Sequence, residues 1–213
     1  MISRIALASM FATAATSFFA SSALAQEASA PAAGAASKMR AQAQIEMLPI
    51  GSGKASIGGD STTTDAELAY GISAAFDYAV TPFLSIGVAP RLILNVAPDV
   101  DDGGDGDADK EVDLRARILA HFPVAPKLEA YAYVSPGYSI VLPADSDADS
   151  STGFGIGGAA GVTYDVSPSL FVNGELGYQR AFTSTEVMLG ADKIDVDLDL
   201  SYFHVGVGAG TRF

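Results

Sequence analysis

The chain has 213 residues, no cysteine and no tryptophan, and carries 25 acidic against 12 basic side chains, a formal charge of −13. That sign opposes nucleic-acid binding, which needs basic groups to replace counterions along the phosphates, and the lack of cysteine removes zinc fingers and disulfide scaffolds. With 49% apolar residues and only 17% charged ones, the chain is apolar and acidic at once, too apolar for charge-driven disorder.

In chain order, residues 1–25 come first. Arg4, an apolar run from Ile5 to Phe19 and a small-x-small ending at Ala23-Leu24-Ala25 predict a cleaved secretory signal peptide, too short for a spanning helix. No lipobox cysteine follows it. Residues 26–39 are rich in Ala, Ser and Pro without alternation and read as a flexible periplasmic tail.

From residue 40 to 213 the hydrophobic pattern has period two, the sign of half-buried strands. Ala41 to Leu48 opens the set. Next, Leu68, Tyr70, Ile72, Phe76 and Tyr78 share one face, opposed by Glu67, Gly71, Ser73 and Asp77. Leu84, Ile86, Val88 and Leu92 then oppose Ser85, Gly87 and Arg91, and Val112, Leu114, Ile118 and Phe122 oppose Asp113, Arg115, Arg117 and His121. The next three strands place Glu129, Tyr131 and Tyr133, then Gly155 and Gly157, then Asn173 and Glu175 on the second face. A final strand ends at Phe213. That makes eight.

Three heptapeptides share the form aromatic-x-Val-x-Pro-x-Leu: Tyr78 to Leu84, Phe122 to Leu128 and Tyr164 to Leu170. Their prolines, Pro82, Pro126 and Pro168, suit tight turns joining successive strands. Longer polar connections fall near 50–65, 97–110, 143–152 and 183–194, so short turns and long loops alternate. An up-and-down barrel sorts these to opposite ends, with both termini on the short side, as outer-membrane barrels do. The competing reading, a secreted β-sandwich or lipocalin-like barrel, would expose the second face to water. That face is full of Gly, Ala and Ser, which fits a narrow lumen better. The aromatics Tyr78, Phe122 and Tyr164, joined by Phe213, form a predicted girdle at one depth, where a bilayer interface selects them.

These features together resemble the small outer-membrane β-barrel family typified by OmpA and OmpX, over about residues 40–213. The resemblance implies an all-β fold, an eight-stranded antiparallel transmembrane barrel with short periplasmic turns and longer extracellular loops, in the outer membrane of a Gram-negative bacterium. It implies a surrounding of outer-membrane lipids and lipopolysaccharide, and recognition of the terminal Phe213 by the barrel-assembly machinery. OmpA-like proteins often continue into a peptidoglycan-binding domain. Here the sequence ends at the barrel, so the expectation is a barrel alone, a monomer without cofactor.

Candidate site residues follow from parity. Glu67, Arg91, Asp113, Arg115, Arg117, Glu129 and Glu175 point inward and are expected to pair as a plug, since an eight-stranded barrel has room only for side chains. Both histidines, His121 and His204, also point inward. His204 has no serine or acid at useful spacing along the chain, so no catalytic residue is assigned. Tyr131 and Tyr133 are expected to cover Gly155 and Gly157. In the loops, Asp101, Asp102, Asp105, Asp107 and Asp109 form a carboxylate run that either binds a divalent cation or is a solvated acidic segment. Ile194 to Leu200 is out of parity with Val205 to Phe213, so a β-bulge near Ser201 is expected, or else an exposed hairpin arm.

The function expected is a non-enzymatic outer-membrane barrel with a plugged polar lumen and acidic loops, in envelope structure or surface interaction. A narrow small-solute channel of the OmpW type is the alternative, and a lipid-modifying barrel enzyme the third reading.

Overall fold

The computed structural model describes residues 38–66, 68–96, 109–144, 149–189 and 192–213. The expected signal peptide, most of the tail, Glu67, and the loop acids Asp101, Asp102, Asp105 and Asp107 lie outside the described residues.

The strands are β1 (Met39–Ile57), β2 (Asp60–Ala66), β3 (Ala69–Thr81), β4 (Leu84–Val96), β5 (Asp109–Ala125), β6 (Leu128–Leu142), β7 (Ser151–Asp165), β8 (Leu170–Leu189) and β9 (Asp192–Arg212). All neighbours are antiparallel, and β1 closes the ring by pairing with β9. The nine segments make eight staves. β3 pairs with Met39 to Leu48 of β1 and β2 with Gly51 to Ile57, so both lie along one edge of β1 as a single interrupted strand. Following paired residues once around, from Met39 through Tyr78, Ile86, Ile118, Val134, Gly158, Tyr178 and Phe203, leads back to Ile50 on β1. Such a stagger tilts the strands and sets the barrel's width.

The predicted faces are as expected. Ile72, Phe76, Ile86, Leu114, Val134, Phe154 and Val207 all point outward and are about half exposed, while Arg115, Arg117, Glu175 and His204 are buried inside. An apolar surface that encircles the molecule needs lipid around it. The expected girdle, Tyr78, Phe122, Tyr164 and Phe213, faces outward at the turn end. Pro82 and Pro126 lie in the two-residue turns after β3 and β5, and Pro168 lies in the bend after β7.

Three corrections concern the other end. The segment 50–65 is not a loop. It is the upper part of β1 and β2, joined at Gly58 and Gly59, whose positive φ values of 58° and 99° permit a tight hairpin. Its Ser, Thr and Gly residues hide the strand pattern because no lipid faces them. Likewise β8 runs to Leu189 and β9 starts at Asp192, so 183–194 is mostly hairpin. Finally, no bulge occurs near Ser201, since β8 and β9 stay in one register throughout. The shift lies in β1 between Met47 and Ile50, at Pro49. Proline lacks the N–H a ladder needs. Pro90 and Pro136 act similarly: the β3–β4 ladder skips Ala74 and Ala75, and the β5–β6 ladder skips Ala116 and Arg117.

The rim is therefore oblique. β1, β8 and β9 have 19, 20 and 21 residues, against 13 in β3 and in β4. Where this tall side leaves the lumen, Leu48, Ala69, Ile93, Val96 and Tyr202 form an apolar cluster, with Ala66 and Leu200 packed on it. Tyr202 fits because Gly51 opposite has no side chain: a Cβ there would lie 2.5 Å from the ring.

Candidate functional site: the lumen and the rim

Inward parity on every strand fills the lumen with polar groups, and their partners come from different strands. At the periplasmic end, Arg40 donates to Glu129 at 2.8 Å, and Arg212 pairs with Asp165. Both guanidiniums flank Phe171, at 4.6 and 4.9 Å from the ring centre. His121 joins this layer, with Nε2 2.8 Å from Ser85 Oγ and Nδ1 3.1 Å from Glu129 Oε1. These are the distances of a Ser-His-acid relay. Ser85, however, is 1% exposed, and Glu129 Oε1 is shared with Arg40.

Higher up, Glu175 accepts from Tyr131 at 2.7 Å and Tyr133 at 2.8 Å, and lies 3.4 Å from His204 Nε2. The Arg117 guanidinium covers the Tyr133 ring and reaches toward Asp77 at 3.8 Å. Arg91 pairs with Glu46, which also accepts from Ser73 at 2.6 Å. Arg115 pairs with Asp113 at 2.9 Å, and Asp113 accepts from Ser139 at 2.5 Å. Pairs at this depth matter because an uncompensated buried charge is costly.

Of the predicted network, Arg91, Asp113, Arg115, Arg117, Glu129 and Glu175 all line the lumen. Glu129 sits in the periplasmic layer, apart from the other five. Tyr131 covers Gly161, not Gly155 or Gly157: a Cβ on Gly161 would be 2.7 Å from the tyrosine Cζ, whereas Arg115 fills the space beside Gly157. At the rim, Asp109 begins β5 and accepts from the Ala144 amide at 2.9 Å. On the tall side, Arg180 holds Asp199 through two hydrogen bonds, one of 2.7 Å, and Lys193 holds Glu186 at 2.5 Å. The Arg180 hydrogen bonds keep the Asp199 carboxyl below its ordinary range, and Lys193 does the same for Glu186.

The profile described as outer membrane protein beta-barrel domain matches residues 11–213. The chain belongs to that family. As an outer-membrane β-barrel it sits in the lipid and lipopolysaccharide of a Gram-negative outer membrane. No curated protein matches it. Among solved structures it is similar to the outer membrane protein OprG from Pseudomonas aeruginosa, at 16% identity and TM-score 0.61, covering 84% of this chain and 96% of that one. AlkL, determined in lipid bilayers, gives 16% identity and TM-score 0.56 over 88% and 96% of the two chains. Neisserial surface protein A gives 18% and 0.51, over 84% and 100%. At these identities the likeness is one of fold.

Sequence reasoning missed several members of this barrel's lumen. Arg40 and Glu46 alternate with Ala41, Ala43, Ile45 and Met47, so parity alone marks them as inward. The same parity places Ser85 and Asp77 on that face, but not among the charged partners. The pairing of His121 with Ser85 and of His204 with Glu175 has no trace along the chain.

Proposed function

We propose that this barrel is a non-enzymatic, plugged outer-membrane protein that serves envelope structure or surface interaction through its tall acidic rim. The observation carrying this reading is the stack of ion pairs across the lumen, from Arg212 and Asp165 through Arg40 and Glu129 to Arg91 and Glu46. Opposed charges that satisfy each other leave no continuous path for solute. Assembly through Phe213 by the barrel-assembly machinery, a monomeric state, and divalent-cation binding by the acidic loops from Asp101 to Asp109 belong to the same proposal.

The test is conductance of the purified full chain in planar bilayers. Silence is expected, and substitutions of Arg115 or Arg117 are expected to open leaks. Steady unitary currents in the wild type, lost on those substitutions, would overturn the plug. Against a hydrolase stands the burial of Ser85, so a fluorophosphonate probe is expected to leave it unlabelled. Labelling that disappears in Ser85→Ala would make the barrel an enzyme.

The second reading, a narrow small-solute channel, has one observation in its favour. Beside the ladder gap opposite Pro90, the lipid-facing wall carries a shallow, open apolar depression lined by Ala43, Ile72, Ala74 and Ala209. Accelerated solute entry into vesicles holding the barrel, reduced by Ala74→Leu, would favour it.

A further inference from the structure

The seam where β9 meets β1 carries two like charges face to face. Arg40 and Arg212 are direct cross-strand partners there, and their side chains are only 7% and 16% exposed. Like charges directly opposite on neighbouring strands oppose pairing, and withdrawal from water strengthens the repulsion. Neither strand of the seam answers them. Glu46, the acid of β1, is held by Arg91 higher up, and the acids of β9 lie above, from Asp192 to Asp199. Asp77 stands opposite Arg40 on β3, yet its ion-pair contact is with Arg117 at 3.8 Å and neither of its oxygens accepts a hydrogen bond.

The counter-charges come from the far wall. Arg40 reaches Glu129 of β6 at 2.8 Å, with β3, β4 and β5 between them one way round and β7, β8 and β9 the other, so this pair spans the diameter of the ring. The same Glu129 oxygen lies 3.8 Å from Arg212, and Asp165 of β7 holds Arg212 with only β8 between. Phe171 of β8 lies over Gly210, where a Cβ would come 2.3 Å from its Cζ, and its ring positions both guanidiniums. We propose that Arg40 and Arg212 form an electrostatic interlock that lets the β1–β9 seam close only when the periplasmic ends of β6 and β7 are in place, with Glu129 as its key. If the first and last strands meet early, two cations confront each other. Once Glu129 and Asp165 are present, two carboxylates face two guanidiniums. Early pairing of β1 with β9, which would leave the middle of the chain outside the wall, is disfavoured. The interlock holds whether or not the lumen passes solute, so the conductance assay bears on the plug alone.

The full chain, unfolded in urea, is diluted into detergent micelles, and the folded fraction is followed by heat-modifiable migration. Glu129→Gln keeps the size of the side chain but removes its charge, and is expected to slow folding roughly fivefold or more. Adding Arg212→Gln to it removes the repulsion as well, so the double variant is expected to fold faster than Glu129→Gln. Ordinary loss of ion pairs gives the reverse order, because the double variant also lacks the Arg212–Asp165 pair. Concentrated salt, which screens the two cations while the seam is still wet, is expected to speed Glu129→Gln and to leave the double variant unchanged. If Glu129→Gln does not fold at all, the double variant is still expected to fold. A Glu129→Gln protein that folds at the wild-type rate, or a double variant no faster than the single one, would overturn the interlock.

Discussion

The guanidinium carbon of Arg117 stands 4.1 Å from the centre of the Tyr133 ring, while the Tyr133 hydroxyl donates to Glu175. One side chain thus serves a cation on its face and an anion at its tip. Tyr133→Phe removes only the second service and is expected to destabilise the barrel by about 1–2 kcal/mol. Tyr133→Leu removes both and is expected to cost about 2–4 kcal/mol. Urea midpoints in detergent check the order. Equal losses would mean that the ring face contributes nothing.

Gly161 is where the wall makes room for Tyr131. A Cβ there would approach Tyr131 Cζ to 2.7 Å and the Gly174 carbonyl oxygen to 2.5 Å. Gly161→Ala is expected to cost about 1–3 kcal/mol. In a Tyr131→Ala background the cost shrinks, because part of the collision is gone. The double-mutant cycle measures that coupling.

The Arg180–Asp199 pair predicts a pH window. A carboxylate held below its ordinary value, near 3.9, contributes stability in full above that value and loses it as pH falls through the lower folded value. Amide exchange in the tall β8–β9 side, corrected for intrinsic rates, is therefore expected to be flat from neutral pH down to about 5 and to quicken below about 4. In Arg180→Ala the Asp199 titration, followed by carboxyl NMR, moves back up. The pair is exposed, so the accompanying loss of stability is small.

The β1–β2 turn tests whether the tall side is separable from the barrel. Gly59 has φ of 99°, outside what a branched residue accepts, whereas Gly58 at 58° suits Asn. Gly59→Val is expected to expose the hairpin to protease while heat-modifiable migration of the barrel persists. Gly58→Asn leaves both unchanged.

What the chain reveals about itself follows from physical constraint. Lipid demands apolar residues at alternate positions, so Ile72, Leu114 and Val207 announce the wall, and the turn prolines announce the periplasmic end. Above the membrane nothing enforces that contrast, so the hairpin from Gly51 to Ala66 reads as a loop. Register is legible across a tight turn but not across a long one. β6 and β7 are joined by the loop after Leu142, which explains why Tyr131 meets Gly161 instead of the glycines first expected. His121 meets Ser85 through the β4–β5 register, set across a long connection, and meets Arg40 of β1 only because the barrel is closed.

Met39 and Phe213 exchange backbone hydrogen bonds of 3.0 Å each, so the two ends of the barrel-forming chain are stitched to one another. The seam is the contact of longest sequence separation, and its loop-closure entropy has to be met before the ring gives anything back. The wall therefore has no finished form until β9 has met β1. Completion waits on that strand, and a nascent barrel without it keeps two unsatisfied edges in a solvent that cannot hydrate them.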